Sequence, residues 1–299
     1  MLTGRGQTRF GTATIRSTVL FERRYWAYIV DREGLTYDTR FVEGAPGRSS
    51  NTIIYLLLQG TFEVFEPVAA RFEGPVAFLL DEEQHEGADG RRSFLYRAFG
   101  SPFVAIELRL RDGDMSCHPA KKPALFDLDA RAWEAARRVG NLHATPPGSE
   151  AALAADLFDE LARSGIVPPD IARRDVDAAA DDDRFTRLWS ALAPMVGRFY
   201  GMPTLQEVAR GSRMSLRQTA RQMTEFFDAF HFIGTGWRDA TRRWRLKLAA
   251  LGLSAEDTSV GEVARVAGYG SSEAMARAFR DAGMLAPVLT RAALRSADP

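Results

Sequence analysis

The feature that most constrains this chain is a short unit that it contains twice. In residues 258–287, TSVGEVARVAGYGSSEAMARAFRDAGMLAP, Ser259 is followed three positions later by Glu262, a reciprocal capping pair among the apolar Val260, Val263, Ala264 and Val266. That pattern predicts one short amphipathic helix. Gly268 and Gly270 then bracket Tyr269 in a corner, where glycine tolerates left-handed backbone. Ser271 or Ser272 caps a second helix with Ala274, Met275, Ala278 and Phe279 on its inner face, leaving Ser272, Glu273, Ala276, Arg277 and Arg280 outside. Two short helices meeting at a glycine corner make a helix-turn-helix, and its second helix has the dimensions of the DNA major groove. One such pair is equally an ordinary packed helical hairpin.

The second copy shifts that balance. TLQEVARGSRMSLRQTARQMTEFF opens with Thr204 and Glu207, another capping pair, again followed by Val208-Ala209-Arg210. Its second helix begins near Ser215 and exposes Leu216, Arg217, Gln218, Ala220 and Arg221. The two starts, Thr204 and Ser259, lie 55 residues apart. Duplication of a groove-sized unit favours a nucleic-acid reader over a hairpin.

With GWRDATRRWRLKLAALGL ahead of it, the 258–287 stretch resembles the C-terminal DNA-binding domain of AraC/XylS-type transcriptional regulators. The matching landmarks are Arg245-Leu246 with Ala249, Val263-Ala264, Gly268-Tyr269, Ser271, Arg277-Ala278-Phe279 and Pro287. The resemblance implies two helix-turn-helix units, 204–227 and 259–280, joined by a long helix and reading adjacent major-groove segments on one face of DNA. By position against the family motif, the DNA-contacting residues are Leu216, Arg217, Gln218, Ala220 and Arg221 in the first unit. In the second they are Ser271, Ser272, Glu273, Ala276 and Arg277. Arginine suits guanine O6 and N7, and glutamate accepts from cytosine N4; Arg277 has a structural ion pair as its alternative use. The chain departs from the pattern at Arg213, where the family has its turn glycine, at Met223 in place of phenylalanine, and at Gly283-Met284. It also looks longer than usual between Met223 and Arg245, which makes 226–236 a loop or a helix extension.

Net charge is zero, but between Tyr200 and Pro299 there are 14 Lys and Arg against 10 Asp and Glu, and the rest of the chain carries the converse excess. The run Arg238, Arg242, Arg243, Arg245, Lys247 is the expected phosphate-facing cluster, with a solvated helix face as its other reading. At 299 residues the chain has room for about two domains. One cysteine, Cys117, excludes an internal disulfide framework, and its MSCHP context lacks the proline and the extra domain of a methyl-acceptor thiol. Residues 1–11 are polar and basic, and no apolar stretch approaches the roughly 18 residues needed to cross a bilayer. A cytoplasmic protein is expected.

Residues 10–111 are rich in Val, Ile, Phe, Tyr and Thr with Gly, Pro and Asp at short intervals, predicting strands at 12–20, 25–31, 52–58, 61–65, 76–80, 93–99 and 103–110. IIYLLLQGTFEVFEPVAARFEGPVAFLLDEEQHEG resembles the cupin-like sensor barrel that precedes the DNA-binding domain in this family. Of the four histidines, His85, His118, His143 and His231, only His85 falls well within that region, so no metal site, no cofactor and no catalytic residue is expected. A barrel without a metal binds in its mouth or lumen. The candidate effector contacts are Trp26, Tyr28, Tyr55 and Phe78, among further aromatics at Phe41, Phe62 and Tyr96, with Glu107 or Arg109 as polar anchor. Core packing is the competing use of each aromatic.

Trp133, Ala136, Val139 and Leu142, then Leu153, Leu157, Phe158 and Leu161, follow helical spacing, broken by Pro146-Pro147-Gly148 and closed by Pro168-Pro169. Their apolar stripe serves either a dimer or the chain's own barrel. The expected fold is α+β: a cupin-like sensor domain at 1–124, a helical connector at 125–182 ending in an acidic linker at 178–183, and an all-α DNA-binding domain at 183–299 whose first helix, over 184–200, kinks at Pro194. The expected function is a sequence-specific transcriptional regulator gated by a small molecule. The alternative is a DNA-binding regulator whose N-terminal domain meets a protein partner or only dimerises. Expected partners are double-stranded DNA, an effector of open identity, a second copy of the chain and, for a regulator at a promoter, RNA polymerase. No membrane is expected.

Overall fold

Tyr55 and Phe62 lie on one strand, yet their ring centroids are 5.0 Å apart. Seven residues of straight strand would span about 23 Å. The strand is therefore bent back on itself, and this bend shapes the N-terminal half. The computed structural model describes residues 1–42, 51–66, 69–81, 95–111, 124–171, 185–193, 204–230 and 236–296. The chain is α+β, an antiparallel sheet followed by helices.

The described strands are β1 (Leu2–Phe10), β2 (Ala13–Phe21), β3 (Tyr25–Glu33), β4 (Tyr37–Asp38), β5 (Asn51–Glu66), β6 (Ala70–Glu73), β7 (Val76–Asp81), β8 (Leu95–Arg111) and β9 (Ala124–Phe126). They pair in the order β1-β2-β3-β8-β5-β7-β9, with β4 added to β8 and β6 to β5. The predicted strands at 52–58 and 61–65 are one strand, as are those at 93–99 and 103–110. The intervening glycines bend the ladder instead of ending it. Gly60 and Gly100 both have positive φ, +95° and +139°, and a Cβ on Gly100 would lie 2.9 Å from the Gly60 Cα. Only residues without side chains let two bends nest this closely.

Alternation assigns the two faces. Ile53, Tyr55 and Leu57 of β5 point into the concave cluster with Ile15, Val30, Phe62 and Phe103. Ile54 and Leu56 point the other way, against α1 (Ala130–Gly140) and α2 (Glu150–Arg163). Asp129 caps α1 by accepting from the Ala132 N–H at 2.8 Å. The apolar stripe of these helices, with Val139, Leu157, Phe158 and Leu161, is buried on Leu20, Ile29 and Leu108 of the chain's own sheet. Of the two uses expected for this stripe, a dimer surface or the chain's own sheet, the structure holds the second, because a sheet apolar on both faces needs cover on both. α2 stops at Arg163 with Gly165 at φ +70°, before Pro168-Pro169.

The remaining helices are α3 (185–193), α4 (Leu205–Ser212), α5 (Leu216–Ala229), α6 (Trp237–Leu253), α7 (Val260–Val266), α8 (Ser272–Asp281) and α9 (Pro287–Ser296). They share cores with the sheet. Phe185, Leu188, Trp189, Val208, Met223 and Phe226 pack with Leu2, Val19 and Phe21, and Trp189 Nε1 donates to the Thr3 carbonyl at 3.0 Å. Leu246, Leu251, Val263, Met275 and Phe279 continue the concave cluster of the sheet. Asp257 Oδ2 accepts from the Thr12 N–H at 2.8 Å, and Ser254 Oγ from the Thr36 N–H at 2.9 Å. The proposed linker at 178–183, Pro194, His85, His118, His231 and Cys117 lie outside the described residues.

Candidate functional site

Each of the two sequence units folds as a pair of capped helices. In α4 the Thr204 side chain accepts from the Glu207 N–H while Glu207 Oε2 accepts from the Thr204 N–H at 2.6 Å. In α7 Ser259 and Glu262 make the same reciprocal pair. These hydrogen bonds, led by the one from the cap's backbone N–H, hold both glutamates below the usual carboxylate pKa. The second corner turns through Gly268 at φ +78°. The first turns through Arg213, at φ 56° and ψ 38°, the one positive-φ residue other than glycine among the described residues. The corner geometry is thus retained without its glycine.

The second helix of each unit turns a polar face outward. On α5, Leu216, Arg217, Gln218, Ala220 and Arg221 are exposed, while Thr219, Met223, Phe226 and Phe227 are buried. Gln218 is committed locally: its Oε1 accepts from the Ser215 N–H at 3.1 Å and hydroxyl at 2.9 Å, forming a third capping box. Arg221 lies 3.8 Å from Glu225. On α8, Met275 and Phe279 are buried, Glu273 and Arg277 are exposed, and Ser272 and Ala276 are half-buried. Ser271 is the cap, accepting from the Ala274 N–H at 3.2 Å.

The basic run on α6 is divided among several uses. Arg238 is exposed, whereas Arg242, Arg243, Arg245 and Lys247 are half-buried. Arg243 Nε donates to Asp239 at 3.0 Å. Arg238, Arg242 and Arg245 border an open cleft between α5 and α6, with Ala220 and Thr224 on its far side. Lys247 points elsewhere, into a cavity between α6 and the sheet.

That cavity holds about 170 Å³. Of the candidate residues, Trp26, Tyr28, Tyr55, Tyr96, Glu107 and Arg109 line it, joined by Tyr37. Trp244, Lys247, Leu248 and Leu251 of α6 supply the remaining wall, at spacings that place them on one helical face. Arg109 Nε donates to Glu107 Oε1 at 2.5 Å, and the Tyr55 hydroxyl donates to Glu107 Oε2 at 2.9 Å. Burial pushes the Tyr28 phenol up to about 12, so it stays a neutral donor. Phe78 does not line the cavity. It is fully buried behind Tyr55, stacked on that ring at 5.5 Å and on Phe72 at 4.7 Å.

Arg32 also lines the cavity, and the sequence reading passed over it. Its side chain is 4% exposed, with the guanidinium 4.1 Å from the Phe103 ring centroid and 6.0 Å from that of Tyr37. Arg32 shares the inward phase of Tyr28 and Val30 on β3, a period-two signal that could have placed it there. The α6 wall gives no such local signal.

Among the described residues no cluster of three or more His, Cys, Asp or Glu is placed to hold a metal, and no helix is long and apolar enough to cross a membrane. No protein-family model matches the chain, and no curated protein does. Among solved structures, ToxT from Vibrio cholerae O395 aligns over 91% of this chain and 99% of its own at 11% identity, with a TM-score of 0.35. Unsaturated fatty acid bound wild-type ToxT from strain SCE256 aligns over 91% and 96% at 9% identity, TM-score 0.31. The cupin domain of Schizosaccharomyces pombe Cnp3 aligns over 33% of this chain and 65% of its own at 16% identity, TM-score 0.23.

Proposed function

We propose that the chain is a sequence-specific DNA-binding transcriptional regulator of the AraC/XylS type, in which a small molecule held against the N-terminal sheet gates two reading helices. The observation that carries this reading is the duplicated capped unit with its outward polar second helix. In each unit the buried face of that helix is mainly apolar, with Thr219 the polar member on α5, and the opposite face offers arginine with short side chains beside it. α5 presents Leu216, Arg217, Ala220 and Arg221, and α8 presents Ser272, Glu273, Ala276 and Arg277. Short side chains let a helix seat in the groove while arginines reach base edges. Arg238 and Arg242, beside the α5–α6 cleft, are the candidate phosphate contacts. Gln218 and Ser271 act as caps that orient the reading helices.

The cavity favours a small-molecule effector over an N-terminal domain that only meets a protein or dimerises, because it is lined by polar and aromatic side chains from two parts of the chain. The test is selection of bound duplexes from a random DNA pool by the purified protein at two salt concentrations. A recovered motif is expected. Binding with no sequence preference and a steep salt slope would leave phosphate contact alone and would withdraw the regulator reading.

A further inference from the structure

The two copies of the capped unit share a corner and differ in what stands on it. Arg213 lies nine residues after the cap Thr204, and Gly268 nine after the cap Ser259, so they hold one position in the two copies. Both corners close in the same way. The Met214 N–H donates to the Ala209 carbonyl at 3.0 Å, and the Tyr269 N–H to the Ala264 carbonyl at 2.8 Å. Each leaves the preceding residue in left-handed backbone, φ 56° at Arg213 and 78° at Gly268. Glycine takes that conformation freely, whereas in an L-residue the Cβ crowds the following carbonyl. Arg210 and Arg265, earlier in the two units, are matched between the copies and both exposed. Arg213 is the unmatched cation, set on strained backbone.

Nothing inside the fold offsets that strain. Arg213 is exposed, and among the described residues its guanidinium makes no hydrogen bond, ion pair or ring contact. Its backbone N–H donates to the Arg210 carbonyl at 3.2 Å, a bond that glycine would make equally. The side chain is distinguished by its place. α5, the reading helix of the first unit, begins at Leu216, three residues on. A helix that reads the major groove presents its N-terminal residues to the base edges, so the corner ahead of it faces the phosphates that border the groove. The positive end of the α5 dipole adds to the attraction for an anion there. A planar guanidinium, always charged and with five donors, suits phosphate oxygens. We infer that Arg213 is a phosphate clamp of the first unit, holding the sugar–phosphate backbone at the groove edge ahead of α5, and that Gly268 leaves the second unit without its counterpart. The contact is electrostatic and carries no sequence information. This inference rests on the proposed DNA-binding reading.

The test measures binding of the full chain to a random-sequence duplex by fluorescence anisotropy over a series of salt concentrations, alongside unfolding in denaturant. The parent is compared with Arg213→Gly, Arg213→Gln and Arg213→Lys. Arg213→Gly should unfold at higher denaturant yet bind at least about threefold more weakly, with the slope of log affinity against log salt shallower by about one. Arg213→Gln, which keeps the strain and removes the charge, should show the same loss of binding without the gain in stability. Arg213→Lys should keep the parent's slope. A side chain that served only the fold would move stability and leave the salt slope alone. Parent-like affinity and slope in both Arg213→Gly and Arg213→Gln would overturn the clamp and leave the regulator reading standing. The clamp would equally fall if random-pool selection with Arg213→Gln changed the preference at one base position, since the residue would then be a base reader. If the parent selects no motif but the slope still drops in both variants, the clamp stands and the regulator reading falls. No binding by the parent at low salt would remove both.

Discussion

Gly252 on α6 lies directly against the ring of Phe10 on β1: a Cβ on this glycine would be 2.4 Å from the nearest ring carbon. Phe10 is 1% exposed and has no room to swing away. Helix and sheet therefore meet here at backbone distance, and α6–α8 share a core with the sheet that lines the cavity. In a free helix, alanine would gain about 1 kcal/mol over glycine. Overpacking a tight contact costs about 1–3 kcal/mol, so Gly252→Ala should lose stability in denaturant unfolding. A variant as stable as the parent would contradict the close approach.

Arg213 holds the corner of the first unit in left-handed backbone, which costs an L-residue about 1 kcal/mol relative to glycine. Arg213→Gly should raise unfolding stability by about that amount, and Arg213→Ala should give no such gain. Equal effects of the two would place the cause in the lost side chain instead.

The capping glutamates set an acid limit. Glu207 and Glu262 have folded-state pKa values below 4.5, so their contribution is present above that value and is lost as pH falls through the lowered folded-state values. Asp257, depressed by its hydrogen bond from the Thr12 N–H, adds a contact between helices and sheet with the same sign. Helicity and the heat-denaturation midpoint should fall on acidification below about pH 5, and Glu207→Gln with Glu262→Gln should flatten that slope. An unaltered slope in the double variant would assign the acid sensitivity to other carboxylates.

The caps that set this limit are also what made the helical half legible. Thr204/Glu207 and Ser259/Glu262 are local signals, readable because the chemistry of a helix start spans four residues. Gln218 shows the limit of such reading, since the same side chain fits a base contact and a cap. In the sheet, β1 was missed because its inward positions Gly4 and Thr8 carry no apolar alternation. Gly60 and Gly100 read as turns, and only their nesting across two strands makes them bends. Trp26, Tyr28, Tyr55, Glu107 and Arg109 were found as candidate cavity residues. The α6 wall was not, because it joins the sheet only through contacts distant in sequence.

On DNA, the two units should act separately. Arg221→Ala should cost about 1–3 kcal/mol on the cognate site and relax one base position, and Arg277→Ala should do the same at a different position. Arg238→Ala should weaken binding to all sequences alike and reduce the salt slope.

Random-pool duplex selection, run side by side on the parent, Arg221→Ala and Arg277→Ala, tests the central claim most directly. The account predicts two short sequence blocks about one helical turn apart for the parent, with each variant losing information in a different block. One unchanged motif across all three proteins, or no motif at all, would contradict it.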